Sequence, residues 1–424
     1  DQVIWSEQNR LHIAYDTVQV ANAGGGFPAV TVTITPGANP NPSSGIRVGA
    51  TLLVSDNATG LVTTKLLVTA LAGNNGYTLT CHAYEGAALP AALVTGAGSN
   101  SLFVYGSMFP KGSNGMAGAL EPSLTTFKNS PIILKDNYEL SGSDAAQIGW
   151  IEVATEDGTS GYMWYLKAES ETRLRFQDYL EMAMVESVPN ANAATFGANF
   201  FPTDGVGGGA NNAAIYGSTG LFSAIETNGN VYSGFAGAAA PGSGALGDFD
   251  EILKNLDKQG AIEENMLFLS RSTALDFDDM LAATNGSYNS TQSASYGLFE
   301  NDGDMALNFG FSGFRRGSYD FYKTDWKYLN DASTRGLSKS IDGVLVPAGT
   351  STVYDQMLGS NIRRPFLHVR YRASETEDRR YKNWITGSVG GAYTDNLDAM
   401  TVHFLTERCL VTQAANNFVL FKSV

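Results

Sequence analysis

The segment SGYMWYLKAESETRLRFQDYLEMAMVES, residues 160–187, constrains this chain more than any other stretch. Phe176, Leu180 and Met184 recur at i, i+4, and Tyr179 with Ala183 widens the apolar stripe, which is the period of a helix that buries one face. The opposite face carries Lys167, Glu171 and Arg175 and the pair Glu169–Arg173, spaced for ion pairs worth ~0.2–0.5 kcal/mol each. Thr159 or Ser160 is placed to cap the start, Glu156 and Asp157 to sit near the positive end of the dipole, and Pro189 with Asn190 stops the helix. At ~1.5 Å per residue it spans roughly 40 Å, the length of a structural strut.

The rest of the chain reads mostly as short strands. Residues 29–105 (AVTVTITPG, GIRVGATLLVSD, KLLVTAL, YTLTCHAYEG, SLFVYG) are β-branched runs broken by Gly, Asn and Pro at roughly ten-residue spacing, the pattern of a small all-β barrel or sandwich. Residues 1–15 read as an extended arm or strand, and 106–123 as a loop. In NSPIILKDNYELSGSD, residues 129–144, Ile132, Leu134, Tyr138 and Leu140 share one face of a strand; Lys135, Asn137, Glu139 and Ser141 share the other with Ile133. One polar face means that one side of the strand meets water or a partner. Beyond the long helix, 191–247 is Gly/Ala/Asn-rich with a turn at 226–232. A helix is expected over 248–260, a strand over 266–270, a second helix over 272–284 capped by Ser272, and two strands within 398–424.

With 424 residues the chain has room for two to three domains. Only 16% of residues are charged, below the ~25% usual for a soluble domain, and a neutral-polar surface of this kind suits large permanent contacts. Forty-two acidic against 27 basic residues leave a net charge of −15, a field that opposes nucleic-acid binding. Cys81 and Cys409 lie far apart and form no Cys-x-x-Cys pair, which argues against a disulfide framework or a zinc site. Neither a signal-peptide pattern nor a run of 18 apolar residues is present.

No catalytic constellation emerges. His12, His82, His368 and His403 lack metal-ligand spacing. GSTG at 217–220 and GSNG at 112–115 have the composition of a nucleophile elbow but not its strand–turn–helix context. GVGGGANN at 205–212 has no Lys-Ser/Thr, and ENDGDM at 300–305 lacks the glutamate that closes a calcium loop. Arg315–Arg316, Arg363–Arg364, Arg370, Arg372 and Arg379–Arg380 are interleaved with Tyr371 and Tyr381, but Glu375, Glu377 and Asp378 lie in the same stretch, so salt bridges within or between chains are expected over a nucleic-acid patch.

The order of the parts is more telling. An arm bearing Trp5 and Glu7 leads into a β unit with GIRVGATLLVSD and a loop with FPKGSNG. The return strand TTFKNSPIILKDNYELSGSDAAQ, the long helix, DFDEILKNLDKQGAIEENMLFLS with Gln259-Gly260, and TVHFLTERCLVTQAANNFVLFK follow. This order resembles the major capsid proteins of tailed bacteriophages (Caudoviricetes) with the Hong Kong 97-type fold, most of all those of crAss-like phages. The resemblance implies an α+β chain. Residues 1–15 and 124–145 would be the legs of an extended loop lying over a neighbouring subunit, and 16–123 an inserted β-barrel or sandwich domain with its linker. Residues 146–195 and about 365–405 would form a peripheral domain with spine helix 160–188, and about 196–364 with 406–424 an axial domain. It further implies a structural protein without catalysis or cofactor, assembled in the bacterial cytoplasm into hexamers and pentamers of an icosahedral virion head. Portal, scaffold, decoration or head-fibre proteins would be its partners, with packaged DNA bound weakly or not at all, and no membrane.

An encapsulin-like compartment shell and a secreted β-rich surface-layer protein or adhesin are the competing readings. On the capsid reading, Ile132, Leu134, Tyr138, Leu140, Arg363, Arg364, Arg379 and Arg380 are expected at subunit contacts. Leu134→Asp or Leu140→Asp is then expected to impair assembly more than folding of the helix core.

Overall fold

The computed structural model describes residues 2–8, 13–22, 27–35, 43–72, 76–94, 98–117, 124–146, 152–154, 160–191, 216–233, 245–260, 262–286, 313–355, 360–389, 391 and 393–423. The motifs at 205–212 and 300–305, and His12, lie outside them. The chain divides into two compact units, Ile4–Phe127 and the remainder.

The smaller unit is all β. Strand β1 (Val3–Gln8) precedes β2 (Ala14–Asn22), β3 (Ala29–Ile34), β4 (Ala50–Asp56), β5 (Thr63–Ala72), β6 (Thr78–Ala83) and β7 (Asn100–Ser107), and β8 (Leu124–Asn129) follows. Strands β2 to β7 close into a barrel in the order β2-β3-β6-β5-β4-β7. Alternation explains the closure. In β3, Val30, Val32 and Ile34 point inward between outward threonines, and they meet Val18, Val20, Leu52, Val54, Leu66, Val68, Leu79 and Cys81 in one core. A closed barrel leaves no unpaired edge. At Gly49 (φ +86°) the Phe109 ring lies where a Cβ would stand, 2.4 Å away, so only glycine fits that turn. The remaining strands, β1 and β8, pair only with each other among the described residues, as a two-stranded ribbon.

The larger unit continues with β9 (Ile132–Ser141), α1 (Gly142–Ala145), β10 (Glu152–Ala154), β11 (Ser160–Tyr162), α2 (Met163–Glu186), α3 (Leu221–Asn228) and β12 (Asn230–Ser233). Next come α4 (Ala245–Gln259), β13 (Glu264–Leu269), α5 (Arg271–Gly286), β14 (Gly313–Arg316), β15 (Tyr319–Asp325), α6 (Lys327–Asn330), β16 (Ile341–Pro347) and β17 (Thr350–Asp355). The chain ends through β18 (Ser360–Pro365), β19 (Leu367–Tyr371), β20 (Lys382–Gly387), β21 (Ala399–Thr412) and β22 (Val419–Lys422).

Two sheets organise this unit. In the first, β21 pairs with β9 along one side and with β20 and then β19 along the other. Helix α2 lies on its apolar face, where Phe176 (0% exposed) and Leu180 pack with Val402 and Phe404, and with Leu134 of β9. Full burial of a side chain of this size contributes about 1.5–3 kcal/mol. The second sheet has the order β12-β22-β16-β13-β15-β14. Helix α4 presents Phe249, Ile252, Leu253 and Leu256 to it, at i, i+3, i+4 and i+7. Phe249 meets Phe277 of α5 edge-on at 5.6 Å and Phe321 at 5.1 Å.

Several expectations change. The long helix begins at Met163 because Ser160–Tyr162 is strand. Tyr179 is 46% exposed and lies outside the stripe, since its position points away from the sheet. Arg175 reaches Asp136 of β9 at 3.0 Å rather than running along the helix, whereas Glu169–Arg173 forms as spaced, at 3.2 Å. Ser270, not Ser272, caps α5, accepting from the Thr273 N–H. Residues 221–228, read as part of a Gly/Ala-rich turn region, form α3 because Leu221, Phe222, Ala224 and Ile225 share a buried face. Strand β21 runs unbroken from Ala399 to Thr412, so a boundary at 405/406 would cut through one strand of the first sheet.

Phe176→Ala is expected to cost about 3–5 kcal/mol by denaturant unfolding, the range for emptying a buried aromatic site. A loss under about 1 kcal/mol would show that α2 is not held by this stripe.

Candidate inter-subunit surfaces

Strand β9 alternates as its sequence dictates, with Ile132, Leu134, Asp136, Tyr138 and Leu140 turned inward and Ile133, Lys135, Asn137, Glu139 and Ser141 outward. The inward face is occupied within the chain. Leu134 packs on Phe176 and Leu180, Ile132 joins the cluster of Met184 and Leu410, and Leu140 is 6% exposed. Burial first, then the nearby Asp144 and Glu169 carboxylates, raises the Tyr138 phenol above its ordinary range. The apolar face expected at a subunit contact is therefore core. Leu134→Asp would put a charge among Phe176, Val402 and Phe404 and impair folding first, the reverse of the sequence-based expectation.

Asn129, at the end of β8, is the residue that sequence reading passed over. It is 5% exposed. Its Nδ2 donates to Thr219 O at 2.9 Å and to Leu410 O at 2.8 Å. Its Oδ1 accepts from the Thr219 N–H at 2.8 Å, the Ser218 hydroxyl at 3.2 Å and the Ser130 N–H at 2.8 Å. Every polar position of the amide is used, which ties the root of β9 to the 218–219 turn and to β21. This also explains GSTG. Ser218 is 1% exposed and serves Asn129, and Gly217 (φ +66°) closes on Val188 O, where a Cβ would lie 2.5 Å away. Its signal in the sequence was a lone Asn ending an alternating strand before Ser-Pro.

The ribbon has a different character. Trp5 stacks on Phe127 at 6.0 Å and 22°, and the Trp5 indole N–H donates to Glu7 at 3.1 Å. Neither ring belongs to a buried core cluster among the described residues. Ile4 and Leu124 are exposed on the other side of the ribbon. An isolated two-stranded ribbon is marginal in water and gains its order from a surface that covers it.

The arginines divide into two sets. Arg315 pairs with Asp320 at 2.9 Å and Arg316 with Asp250 at 2.5 Å. Arg372 and Arg379 converge on the buried Glu407, at 3.0 and 2.6 Å. The Arg380 and Arg408 guanidinium carbons lie 5.3 and 5.2 Å from the Tyr371 ring centre. Arg379 and Arg380, expected between subunits, are thus engaged inside their own chain, because Glu407 and Tyr371 sit on the neighbouring strands β21 and β19. Arg363 and Arg364 lie on β18, which pairs with β17 as a second two-stranded ribbon; Arg363 is exposed and Arg364 half-buried on the opposite side.

Among the described residues, no group of three or more His, Cys, Asp and Glu could hold a metal ion. His403 shares a 2.7 Å hydrogen bond with Thr386 and lies under Trp384 at 5.0 Å. Burial raises the Cys81 and Cys409 thiols to about 12 and about 11, far from a reactive thiolate.

No family model matches the chain, and no curated protein does. Among solved structures it is similar to one from Gordonia phage Cozz (TM-score 0.37, 10% identity, 75% of this chain and 77% of that one). It is also similar to the mature capsid of bacteriophage PhiM1 (0.38, 8%, 75% and 78%) and to a structure from Mycobacterium phage Bobi (0.35, 10%, 91% and 92%).

Asn129→Ala is expected to destabilise the larger unit by about 1–3 kcal/mol for each buried group left unpaired. Denaturant unfolding unchanged from wild type would mean that the junction has no structural weight.

Proposed function

We propose that the chain is a shell subunit, the major capsid protein of a tailed phage, which self-assembles into an icosahedral head enclosing double-stranded DNA. The observation that carries this reading is the β1/β8 ribbon. Two strands far apart in sequence bracket a whole barrel, pair only with each other among the described residues, and leave Trp5 and Phe127 outside any core. A neighbouring copy would supply the surface that orders them.

On this reading the ribbon is the extended loop of the Hong Kong 97-type fold, and the barrel is a domain inserted in it. Helix α2 is the spine helix, the first sheet belongs to the peripheral domain, and the second sheet to the axial domain. The protein works by contact and not by catalysis. Each subunit meets several neighbours through interfaces of moderate size, and closure makes the set cooperative. A net charge of −15 keeps the wall from gripping packaged DNA. The affinity with crAss-like phages, the hexamers and pentamers, and the portal, scaffold and decoration partners belong to the same proposal and rest on the sequence resemblance. Of the expected contact set, the exposed Arg363 and the half-buried Arg364 are open to a neighbour, and so is the outward face of β9, which lay outside that set.

Electron microscopy of the purified chain at high concentration is expected to show closed particles. Trp5→Ser with Phe127→Ser is expected to abolish them while leaving the circular dichroism of the barrel and α2 intact. A wild-type chain that stays a monodisperse monomer would refute the reading, and a flat lattice would favour a surface-layer protein instead.

A further inference from the structure

Arg364 and Arg370 stand out in a chain that pairs most of its arginines internally. Arg173, Arg175, Arg315, Arg316, Arg335 and Arg372 each reach a carboxylate of their own chain. Among the described residues no carboxylate lies within ion-pair distance of Arg364 or Arg370, although the chain has 42 acidic residues. Arg370 is half-buried, and its Nε donates to His368 Nε2 at 3.4 Å. His368 Nδ1 lies 2.8 Å from Pro365 O. With Nδ1–H donating to that carbonyl, Nε2 is free to accept from Arg370. The imidazole is therefore held neutral, and burial, followed by the charges of Arg370 and Arg364, lowers its pKa below the ordinary value. One edge of the Arg370 guanidinium is thereby fixed, and the positive charge of Arg364 acts on both Arg370 and His368. Two like charges held together at a half-buried place are unfavourable until an anion joins them.

We propose that Arg364 and Arg370 form a carboxylate receptor for the outer face of α2 in a second copy of this chain. The complementary surface lies on α2 of the same chain. Asp178 and Glu181 are exposed one helical turn apart, where side chains at i, i+3 stand ~5–6 Å from each other and can meet two guanidinium groups. Leu174, 58% exposed, lies between them on the helix surface, and Tyr179, 46% exposed, stands on the far side of Asp178. Glu181 also lies in the field of its own Arg408, whereas no such interaction is described for Asp178. Receptor and ligand occupy different surfaces of one chain, so the contact is head-to-tail and repeats around a ring. A nucleic-acid occupant is disfavoured, since the field of a chain at −15 repels a duplex and two guanidiniums do not make a basic stripe. The inference rests on the shell reading and names one of its contacts.

The test is sedimentation velocity on the full chain at low and high salt. Arg364→Glu with Arg370→Glu is expected to weaken self-association by roughly tenfold or more, and Asp178→Lys with Glu181→Lys to do the same. Combining all four reversals is expected to restore it. Arg364→Glu alone, at a side chain with no hydrogen bond among the described residues, gives the same direction without touching the His368 contact. Wild-type-like association of either reversed pair, or no rescue in the combination, overturns the proposal. So does Arg364→Glu abolishing retention of a short DNA duplex while self-association is unchanged, which would make nucleic acid the occupant. A wild-type chain that never associates refutes the shell reading and this contact together. Wild type and Arg variants that assemble alike remove this contact only.

Discussion

The ladder between β9 and β21 is the constraint on which the larger unit depends. It runs from Ser141 opposite Ala399 to Ile132 opposite Arg408, joining segments separated by most of the chain. Because strand side chains alternate, this one register sets both faces at once. It sets Leu134 opposite Thr406 on the face where Val402 and Phe404 meet Phe176 and Leu180 of α2, and places Asp136 to receive Arg175. A slip of one residue would drive Lys135 and Glu139 into that core. Beyond β9 the same β21 goes on to pair with β19, and its Leu410 carbonyl is where Asn129 anchors the root of β9. Packing and a saturated polar junction thus act on one strand.

Charge follows a related logic. Few charged side chains are spent on the barrel, while the larger unit ties most of its arginines to its own carboxylates, including two on the buried Glu407. Breaking such a pair would leave an uncompensated charge, so these arginines fix the positions of β19 to β21 and are not available to a partner. Among the described residues, the arginines of β18 and Arg370 reach no carboxylate, the outer side of α2 exposes Asp178 and Glu181, and the aromatic pair of the β1/β8 ribbon joins no buried core cluster. These are contact features, and contact is what a shell subunit requires.

The sequence made the strongly periodic elements legible. The stripe of Phe176, Leu180 and Met184 marked α2, the alternating valines of 29–105 marked the barrel, and the alternation of Ile132 to Leu140 gave the two faces of β9. Periodicity tells which face is apolar, but not what covers it. That is why the inward side of β9 reads equally well as a subunit contact or as core, and why Arg379 and Arg380 look free until Glu407 and Tyr371 are brought beside them by β21 and β19. Asn129 was invisible for the same reason. Its partners at 218–219 and 410 lie at sequence distances that no local pattern spans.

The central claim is that the β1/β8 ribbon acquires its order from a neighbouring copy. Amide hydrogen exchange, compared between the unassembled and the assembled chain, tests it most directly. The amides of Val3–Gln8 and Leu124–Lys128 are expected to exchange rapidly in the unassembled chain and to become strongly protected on assembly, while β9 and β21 are protected in both. Equal protection of the ribbon in the two states would contradict it.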